Sequence, residues 1–568
     1  MRRRTCLLPV ILPWLLGSVL PLATAQNTRQ WTEASDLPPQ VRQINRLVQE
    51  MWSAYEIEPT EPARDYEWCR RVYLDLLGRV PTVDELHAFT SDKSDNRYTD
   101  LVDQLLDDDE YTEDFARNWT TIWTNLLIGR TGGNNNRSRI SRAGMQKYLR
   151  DSFARNKPYD RMVYELVTAT GHSAPRGERF NGAVNFLIDK VNEENATLAT
   201  AATSRIFMGL QVQCAQCHNH PFNKWEQQTY WDMNAFFRQT SANGNRRARA
   251  DGVVPELIDQ NFNGEGTAPD IERAALFFEQ RNGVVKVSYP VFVDGTAIDP
   301  HGDKDRVNRR KELANLMLQS TWLDRAMVNR TWAHFMGYGF TKPVDDMGPH
   351  NVPSHPELLD YLASEFRNHD FDVRQLIRWI VLSRPYGLSS KIPKQKRSSD
   401  SLVDDPLAGT TPLFSRFYLR QMRAEELYES LLVASRADEN LGSYEEREQR
   451  KNRWLQQFSQ AFGTDEGDET TSFNGTIPQI LMMFNGEMMR QATEGRDGGF
   501  LNRLANDPGT RPREKIHYLF QAGLSRRAKS DEMRMAEQIY NARQGNATEA
   551  LRDIWWVILN SNEFIFNH

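Results

Sequence analysis

Two cysteines and two histidines lie within seven residues of this sequence, at Cys214, Cys217, His218 and His220. Two thiols that are separated by two residues can add to the two vinyl groups of one haem. The histidine that follows the second thiol can then reach the iron from one face of the ring. The pattern therefore predicts a covalent haem c held by Cys214, Cys217 and His218.

The same residues support three other interpretations. Cys214, Cys217, His218 and His220 offer soft and borderline ligands, which suit zinc or another divalent metal. The two cysteines could instead form a redox-active disulfide, or a short structural disulfide. A metal or a structural disulfide would fit a binding or scaffold protein at the cell surface, whereas a haem fits electron transfer. The residues alone leave these alternatives open.

A haem also needs a second axial ligand or an open position on the iron. His220 is too close to His218 in sequence to reach the opposite face. The downstream candidates are one methionine and four histidines, at Met233, His301, His334, His350 and His355. The sequence does not indicate which of these five residues would be the second axial ligand.

The N-terminus predicts export. Arg2, Arg3 and Arg4 precede an apolar run over 7–22, and the small-x-small sequence of residues 23–25 follows. This order is typical of a signal peptide, here residues 1–25, which sends the protein to the periplasm or the cell surface. The run is short for a membrane helix and no second long apolar run exists, so we expect no membrane span after cleavage. Covalent haem attachment outside the cytoplasm would agree with this destination.

Charge argues against nucleic acid as a partner. The net charge is −6, and it becomes −9 when Arg2–Arg4 leave with the signal peptide. A chain of this charge has no field that attracts a phosphate backbone. A protein partner at the cell surface or in the periplasm is the expectation that remains.

The spacing of apolar residues predicts a mainly α-helical protein. Helical periodicity marks the segments through Tyr73, from Gly144 to Thr170, from Leu198 to Leu210, and through Ile377, Leu427 and Ile554. Gly78 and Pro81 should end one helix, and Thr82 with Glu85 should cap the next. Cys69 falls within a helical stretch and is expected to be a buried small apolar residue.

Composition changes between residues 241 and 305, where glycines, charges and short apolar runs predict a loop-rich linker. The runs Val284–Val287 and Val291–Val293 predict a small β-hairpin or extended pair. We therefore predict two helical domains, over 40–240 and 306–568, joined by that linker. Loops are predicted at about 391–413 and 463–477.

No hydrolase signature is present. The chain lacks the G-x-S-x-G, Walker and H-E-x-x-H patterns. Asp345 and Asp346 could act as paired catalytic acids, but before Gly348 they are more typical of a turn or a helix cap. The sequence thus gives no support for nucleophilic hydrolysis, and it leaves open whether the protein is an enzyme.

Longer motifs around these residues resemble a known pair of planctomycete families. The PSCyt2 family, a cytochrome-C-like domain of unknown function (DUF1549), is similar at 73–82 and 211–225, with Tyr230, Phe236 and Phe237 following. The PSD1 family (DUF1553) is similar at 328–332, 337–339, 343–348, 354–359, 377–383, 423–426 and 555–568. The likeness covers most of 65–240 and 305–568, and it implies an exported protein. The cytochrome label of that family rests on the same C-x-x-C-H pattern, so it adds no separate support for haem.

Overall fold

The computed structural model describes residues 37–133, 138–175, 179–191, 196–220, 225–244, 254–262, 274–392, 404–436, 443–462, 492–493 and 499–568. The predicted signal peptide lies outside the described residues. So do the predicted loop at 463–477 and part of the one at 391–413.

Helices dominate the described residues, as the sequence predicts. The first half of the chain contains α1 (Pro39–Ala54), α2 (Asp65–Leu77), α3 (Val83–Ser91), α4 (Arg97–Asp107), α5 (Asp109–Ile128), α6 (Arg142–Ala154), α7 (Tyr159–Thr168), α8 (Thr197–Met208) and α9 (Gln227–Asn234). The second half contains α10 (Arg309–Gln319), α11 (Thr321–Met336), α12 (Pro356–Asn368), α13 (Val373–Val381), α14 (Ala424–Ala434), α15 (Tyr444–Phe462), α16 (Phe500–Asn506), α17 (Pro512–Leu524), α18 (Ser530–Ala542), α19 (Ala547–Leu559) and α20 (Asn562–Ile565).

The strands are short and antiparallel. One sheet has the order β1–β3–β2, formed by β1 (Gly171–His172), β2 (Thr240–Asn243) and β3 (Glu256–Asp259). A hairpin joins β4 (Leu276–Glu279) to β5 (Val285–Ser288), and β6 (Arg420–Gln421) pairs with β7 (Phe566–Asn567).

The predicted helix boundary near residue 80 is confirmed. Helix α2 is ended by Gly78, which has a left-handed φ of 70°. Thr82 then caps α3, and it exchanges hydrogen bonds with Glu85 as a capping box requires. The helical segment predicted from Gly144 to Thr170 contains two helices, α6 and α7. Pro158 separates them, because the ring of a proline disfavours helical backbone in the residue before it.

The predicted hairpin exists within residues 241–305, but with a different partner strand. β5 contains Val285 and Val287 and pairs with β4, whereas Val291 forms only an isolated bridge with Ala297. Gly283 adopts a φ of 80° in the turn between β4 and β5. A positive φ permits a tight turn, so the two neighbouring strands pair with each other. Pro290 has no N–H to donate, so the ladder stops before the Val291 run.

Two clusters of buried apolar side chains form the interior. The larger one draws on residues from Leu37 to Tyr418, and therefore on both predicted halves of the chain. The smaller one contains residues from Met422 to Phe564 together with Leu74, Val80 and Val83. The domain boundaries at 241–305 stay a prediction, because buried clusters do not by themselves define separate domains.

Helix α2 contributes to both clusters, and Asp75 lies between them. This carboxylate is fully buried. It accepts hydrogen bonds from the Tyr386 hydroxyl at 2.7 Å and from the Asn567 amide at 2.8 Å, and it forms an ion pair with Arg420. Burial raises the pKa of Asp75 to about 6, while Arg420 and Tyr386 act in the opposite direction. The carboxylate is thus ionised at neutral pH and bound by three donors from distant parts of the chain.

Other predictions on local structure can be compared with the fold. Cys69 is completely buried in α2, as predicted, and burial raises the pKa of its thiol well above its ordinary value. Among the described residues, no helix is both long enough and apolar enough to cross a membrane.

Replacing Asp75 with alanine should destabilise the protein by about 3 kcal/mol, because it leaves buried donors and the Arg420 guanidinium without their acceptor. Asp75→Asn should cost less, since an amide oxygen can still accept a hydrogen bond. Urea unfolding at pH 7 measures both effects. Asp84→Ala, at an exposed position on α3, is the control and should change stability by no more than about 0.5 kcal/mol. An equally small change for Asp75→Ala would show that the buried carboxylate does not stabilise the fold.

Candidate functional site

The cysteine cluster follows directly after α8. Gly209 ends that helix in the left-handed region, with a φ of 64°, and the chain then forms a 3-10 turn over Gln213–Gln216. Val212 and Ala215 are buried and anchor the turn in the larger apolar cluster. Their burial directs the alternate side chains, including Cys214 and Cys217, towards solvent.

Helix α9 holds the other side of the cluster. The Gln216 carbonyl accepts hydrogen bonds from the side chains of Gln227 and Trp231, both at 3.1 Å. The Asn219 side chain accepts from the backbone N–H of Gln227 at 3.0 Å, at the start of α9. Trp231 also stacks on Phe278 of the β4–β5 hairpin at 5.7 Å between ring centres. The turn therefore has a fixed position relative to α9 and the hairpin.

The thiols of Cys214 and Cys217 are exposed and are not linked to one another. The Nδ1 atom of His218 lies 2.7 Å from the Asn219 carbonyl oxygen. A carbonyl can only accept, so Nδ1 carries the proton and Nε2 carries the lone pair. This is the tautomer that a metal-ligating histidine adopts when a backbone carbonyl orients its ring.

These donors fit the chemistry of covalent haem attachment: two accessible thiols in one turn, followed by an oriented imidazole with Nε2 as its basic nitrogen. A compact metal site needs a closer gathering of ligands. Across the described ranges, no group of three or more histidine, cysteine, aspartate or glutamate side chains is arranged to hold an ion. The haem and zinc interpretations of Cys214, Cys217, His218 and His220 both stay predictions.

His220 meets a histidine from the second half of the chain. Its ring centre lies 5.5 Å from that of His350, and the two rings are inclined at 43°. Burial lowers the pKa of His220, and the neighbouring His350 adds to this effect. The Nε2 atom of His350 lies 3.0 Å from an Asp346 carboxylate oxygen. The residues Pro221 to Lys224, which belong to the resemblance motif, lie outside the described residues.

The loop between α11 and α12 is attached to the cluster at two points. The buried Asp345 carboxylate accepts hydrogen bonds from Arg205 at 3.0 Å and from Gln211 at 2.8 Å. The backbone N–H of Met347 donates to the Gly209 carbonyl at 2.7 Å. Arg205, Gly209 and Gln211 all lie shortly before Cys214 in the chain. The loop is therefore bound to the segment that leads into the cluster.

Asn329 of α11 supports the same loop from beneath. Its buried amide donates to the Thr341 hydroxyl at 2.8 Å and to the Val344 carbonyl at 2.9 Å. Its carbonyl oxygen accepts from the Phe340 N–H at 2.6 Å. The Asn329 side chain thus bonds to residues 340, 341 and 344 of the loop. These bonds hold the segment that leads directly into Asp345 and Asp346.

Of the residues considered as second haem ligands, His350 is in ring contact with His220 of the cluster. Met233 is buried in α9, and His301 is buried before α10. His334 is half-buried and packs against Trp119, and its Nε2 faces the Asp75 carbonyl. His355 is buried between Phe340 and Phe414 at the start of α12.

Comparison with family models identifies two regions in the chain. Residues 43–242 match PSCyt2, described as a protein of unknown function (DUF1549), and residues 309–540 match PSD1, described likewise (DUF1553). The chain is a PSCyt2–PSD1 protein. Neither a curated protein nor a solved structure matches it. The PSCyt2 region contains the cysteine cluster. The PSD1 region contributes Asp345, Asp346 and His350 from the loop between α11 and α12, which we call the PSD1 loop.

Asp345 lies in a turn, as the sequence predicts. The prediction of a turn or a cap does not include the side-chain contacts, in which Asp345 binds Arg205 of α8 and Asp346 bonds to His350. The spacing of Asp346 and His350, four residues apart in a turn-rich segment, was a signal that the two side chains could meet. Nothing in the sequence signalled that His350 would lie beside His220.

Gly209→Ala should loosen the connection between the cluster and the PSD1 loop. A Cβ at this position would lie 2.8 Å from the Met347 sulfur, and the left-handed φ adds about 1–2 kcal/mol of strain. We expect lower stability in urea and faster amide hydrogen exchange over residues 341–353.

Gly283→Ala is the matched control for backbone strain. Gly283 also has a positive φ, of 80°, but nothing lies within 4 Å of an added Cβ. It should lose a similar amount of stability without affecting exchange in the PSD1 loop. If the amides of residues 341–353 exchange at the same rate in both variants, then the contact of Gly209 with Met347 does not hold the PSD1 loop in place.

His355 should make the protein sensitive to acid. Burial lowers the pKa of its imidazole from 6.5 to about 4, so between these values the unfolded chain binds a proton that the folded protein does not. Acid therefore favours the unfolded chain, and stability should fall by about 2 kcal/mol between pH 7 and pH 5 from this residue. Urea unfolding of His355→Gln should show a correspondingly smaller fall. His87→Gln, at an exposed position, should retain the dependence of the unmodified protein.

Proposed function

We propose that this PSCyt2–PSD1 protein is an exported redox protein that carries one haem c on Cys214 and Cys217, with His218 as an axial ligand. The observation that carries the proposal is the pairing of two exposed thiols with an imidazole whose Nδ1 donates to the Asn219 carbonyl. A haem supplies reversible one-electron transfer when it is bound.

The chain's own residues have three tasks in this function. Cys214 and Cys217 provide the two nucleophilic sulfur atoms, which are accessible because Val212 and Ala215 occupy the buried positions of the turn. His218 presents Nε2 for ligation, because Nδ1 is engaged with the backbone. The hydrogen bonds of Gln216 and Asn219 to α9 keep the turn in place, which limits reorganisation when an electron arrives or leaves.

Exposure of the cluster also bears on partners. Electron transfer between proteins requires the carrier to lie near the surface, and the exposure of Cys214 and Cys217, which would hold the haem, supports this role. We infer a partner protein in the periplasm or at the cell surface, with no role for nucleic acid, since the net charge of −6 attracts none.

The test is the state of the cluster in natively exported protein. The chain with its own N-terminus would be produced in a bacterial host that has haem-attachment machinery, and its intact mass and pyridine haemochrome spectrum measured. We expect the mass of one haem added to the polypeptide, together with a c-type spectrum. Cys214→Ala with Cys217→Ala should abolish both signals, whereas Cys69→Ala, at a buried cysteine in α2, should leave the haem attached.

Other outcomes would overturn the proposal. A mass lower by two hydrogens would identify a disulfide between Cys214 and Cys217. One equivalent of zinc retained after dialysis, without haem, would identify the structural metal site of a binding or scaffold protein. Either result on correctly exported protein excludes electron transfer through haem.

A further inference from the structure

His220 and His350 come from different regions of the chain and face each other at the edge of the cluster, with 5.5 Å between ring centres. We propose that this histidine pair binds one divalent transition-metal ion of the kind that prefers imidazole, such as Cu²⁺ or Zn²⁺. The site would join the PSCyt2 region to the PSD1 region, and it does not depend on haem at Cys214 and Cys217.

The separation of the rings suits a shared ion. Metal–nitrogen bonds to imidazole are about 2.0–2.1 Å long, so two rings on one tetrahedral ion have their centres about 5 Å apart. The observed 5.5 Å is close to this value. The separation of the two ring centres therefore suits one shared ion.

Asp346 prepares His350 for this role. Its carboxylate lies 3.0 Å from Nε2 of His350, and a carboxylate can only accept, so Nε2 carries the proton. The remaining nitrogen, Nδ1, then holds the lone pair that a metal requires. A carboxylate that orients the far side of a ligating imidazole is the usual outer-sphere arrangement in protein metal sites.

The site is accessible and its local charge suits a cation. The side chains of His350 and Asp346 are 21% and 17% exposed, so an ion can enter from solvent. Arg205 forms its ion pair with Asp345. The Asp346 carboxylate lies next to His350, where its negative charge can attract a cation.

The PSD1 loop is rigid enough to hold a ligand. Asp345 binds Arg205 and Gln211, and the Met347 N–H binds the Gly209 carbonyl. Two protein ligands leave positions for water, which agrees with the absence of any group of three ligating side chains in the described part of the chain. We therefore expect an exchangeable ion, rather than one locked in at folding.

The test uses the full, untagged chain with Cys214→Ser and Cys217→Ser, which removes both haem attachment and thiol ligands. Titration with Cu²⁺ in a calorimeter should give one ion per chain. Electron paramagnetic resonance should show two coordinated nitrogens. His220→Ala and His350→Ala, each added to this background, should weaken binding at least about tenfold, and Asp346→Asn should weaken it by about 10–100-fold.

Controls separate this site from its neighbours and from misfolding. His87→Ala, at an exposed histidine on α3, should bind Cu²⁺ as the background does. Circular dichroism should show that each variant is folded, and Cu²⁺ should raise the thermal midpoint of the background but not of His350→Ala. Unchanged binding in folded His350→Ala overturns the proposal. Loss of binding in His218→Ala together with unchanged binding in His350→Ala overturns it too, because the ion then belongs to the C-x-x-C-H cluster. Neither result bears on haem, which this background cannot attach.

Discussion

The rest of the structure depends on the burial of one carboxylate of α2 together with its hydrogen-bond and ion-pair partners. Asp75 lies between the two apolar clusters, where an ionised group without partners would cost several kcal/mol. Its partners Tyr386, Arg420 and Asn567 come from the PSD1 region or beyond it. The charge can therefore be buried only when both regions have taken their places around α2.

The same dependence recurs at the cysteine cluster. The PSCyt2 region supplies the thiols, His218 and His220. The PSD1 loop supplies Asp345, which binds Arg205 and Gln211 shortly before the cluster, and His350, which lies beside His220. The hydrogen bonds that anchor this loop at Gly209 and Arg205 fix the position of His350 relative to the cluster. This arrangement gives a physical reason for the two regions to occur in one chain.

Local features of the fold could be predicted because they depend on neighbouring residues. The end of α2 at Gly78, the cap at Thr82 and the burial of Cys69 all follow from short-range rules, and all are confirmed. The strand partner of Val285 was predicted wrongly, since apolar runs do not record which run pairs with which. The pairing of His220 with His350 depends on how the long stretch of chain between them packs, and periodicity carries no information at that range.

The partners of Asp75 also set the order in which this protein can fold. Tyr386, Arg420 and Asn567 lie 311, 345 and 492 residues further along the chain. A ribosome releases α2 long before any of these residues has been made, so the newly made helix cannot yet place its carboxylate in an interior. Contacts of such sequence separation form slowly, because a long loop must close first. The N-terminal region therefore cannot complete the interior around Asp75 until residue 567 has been made.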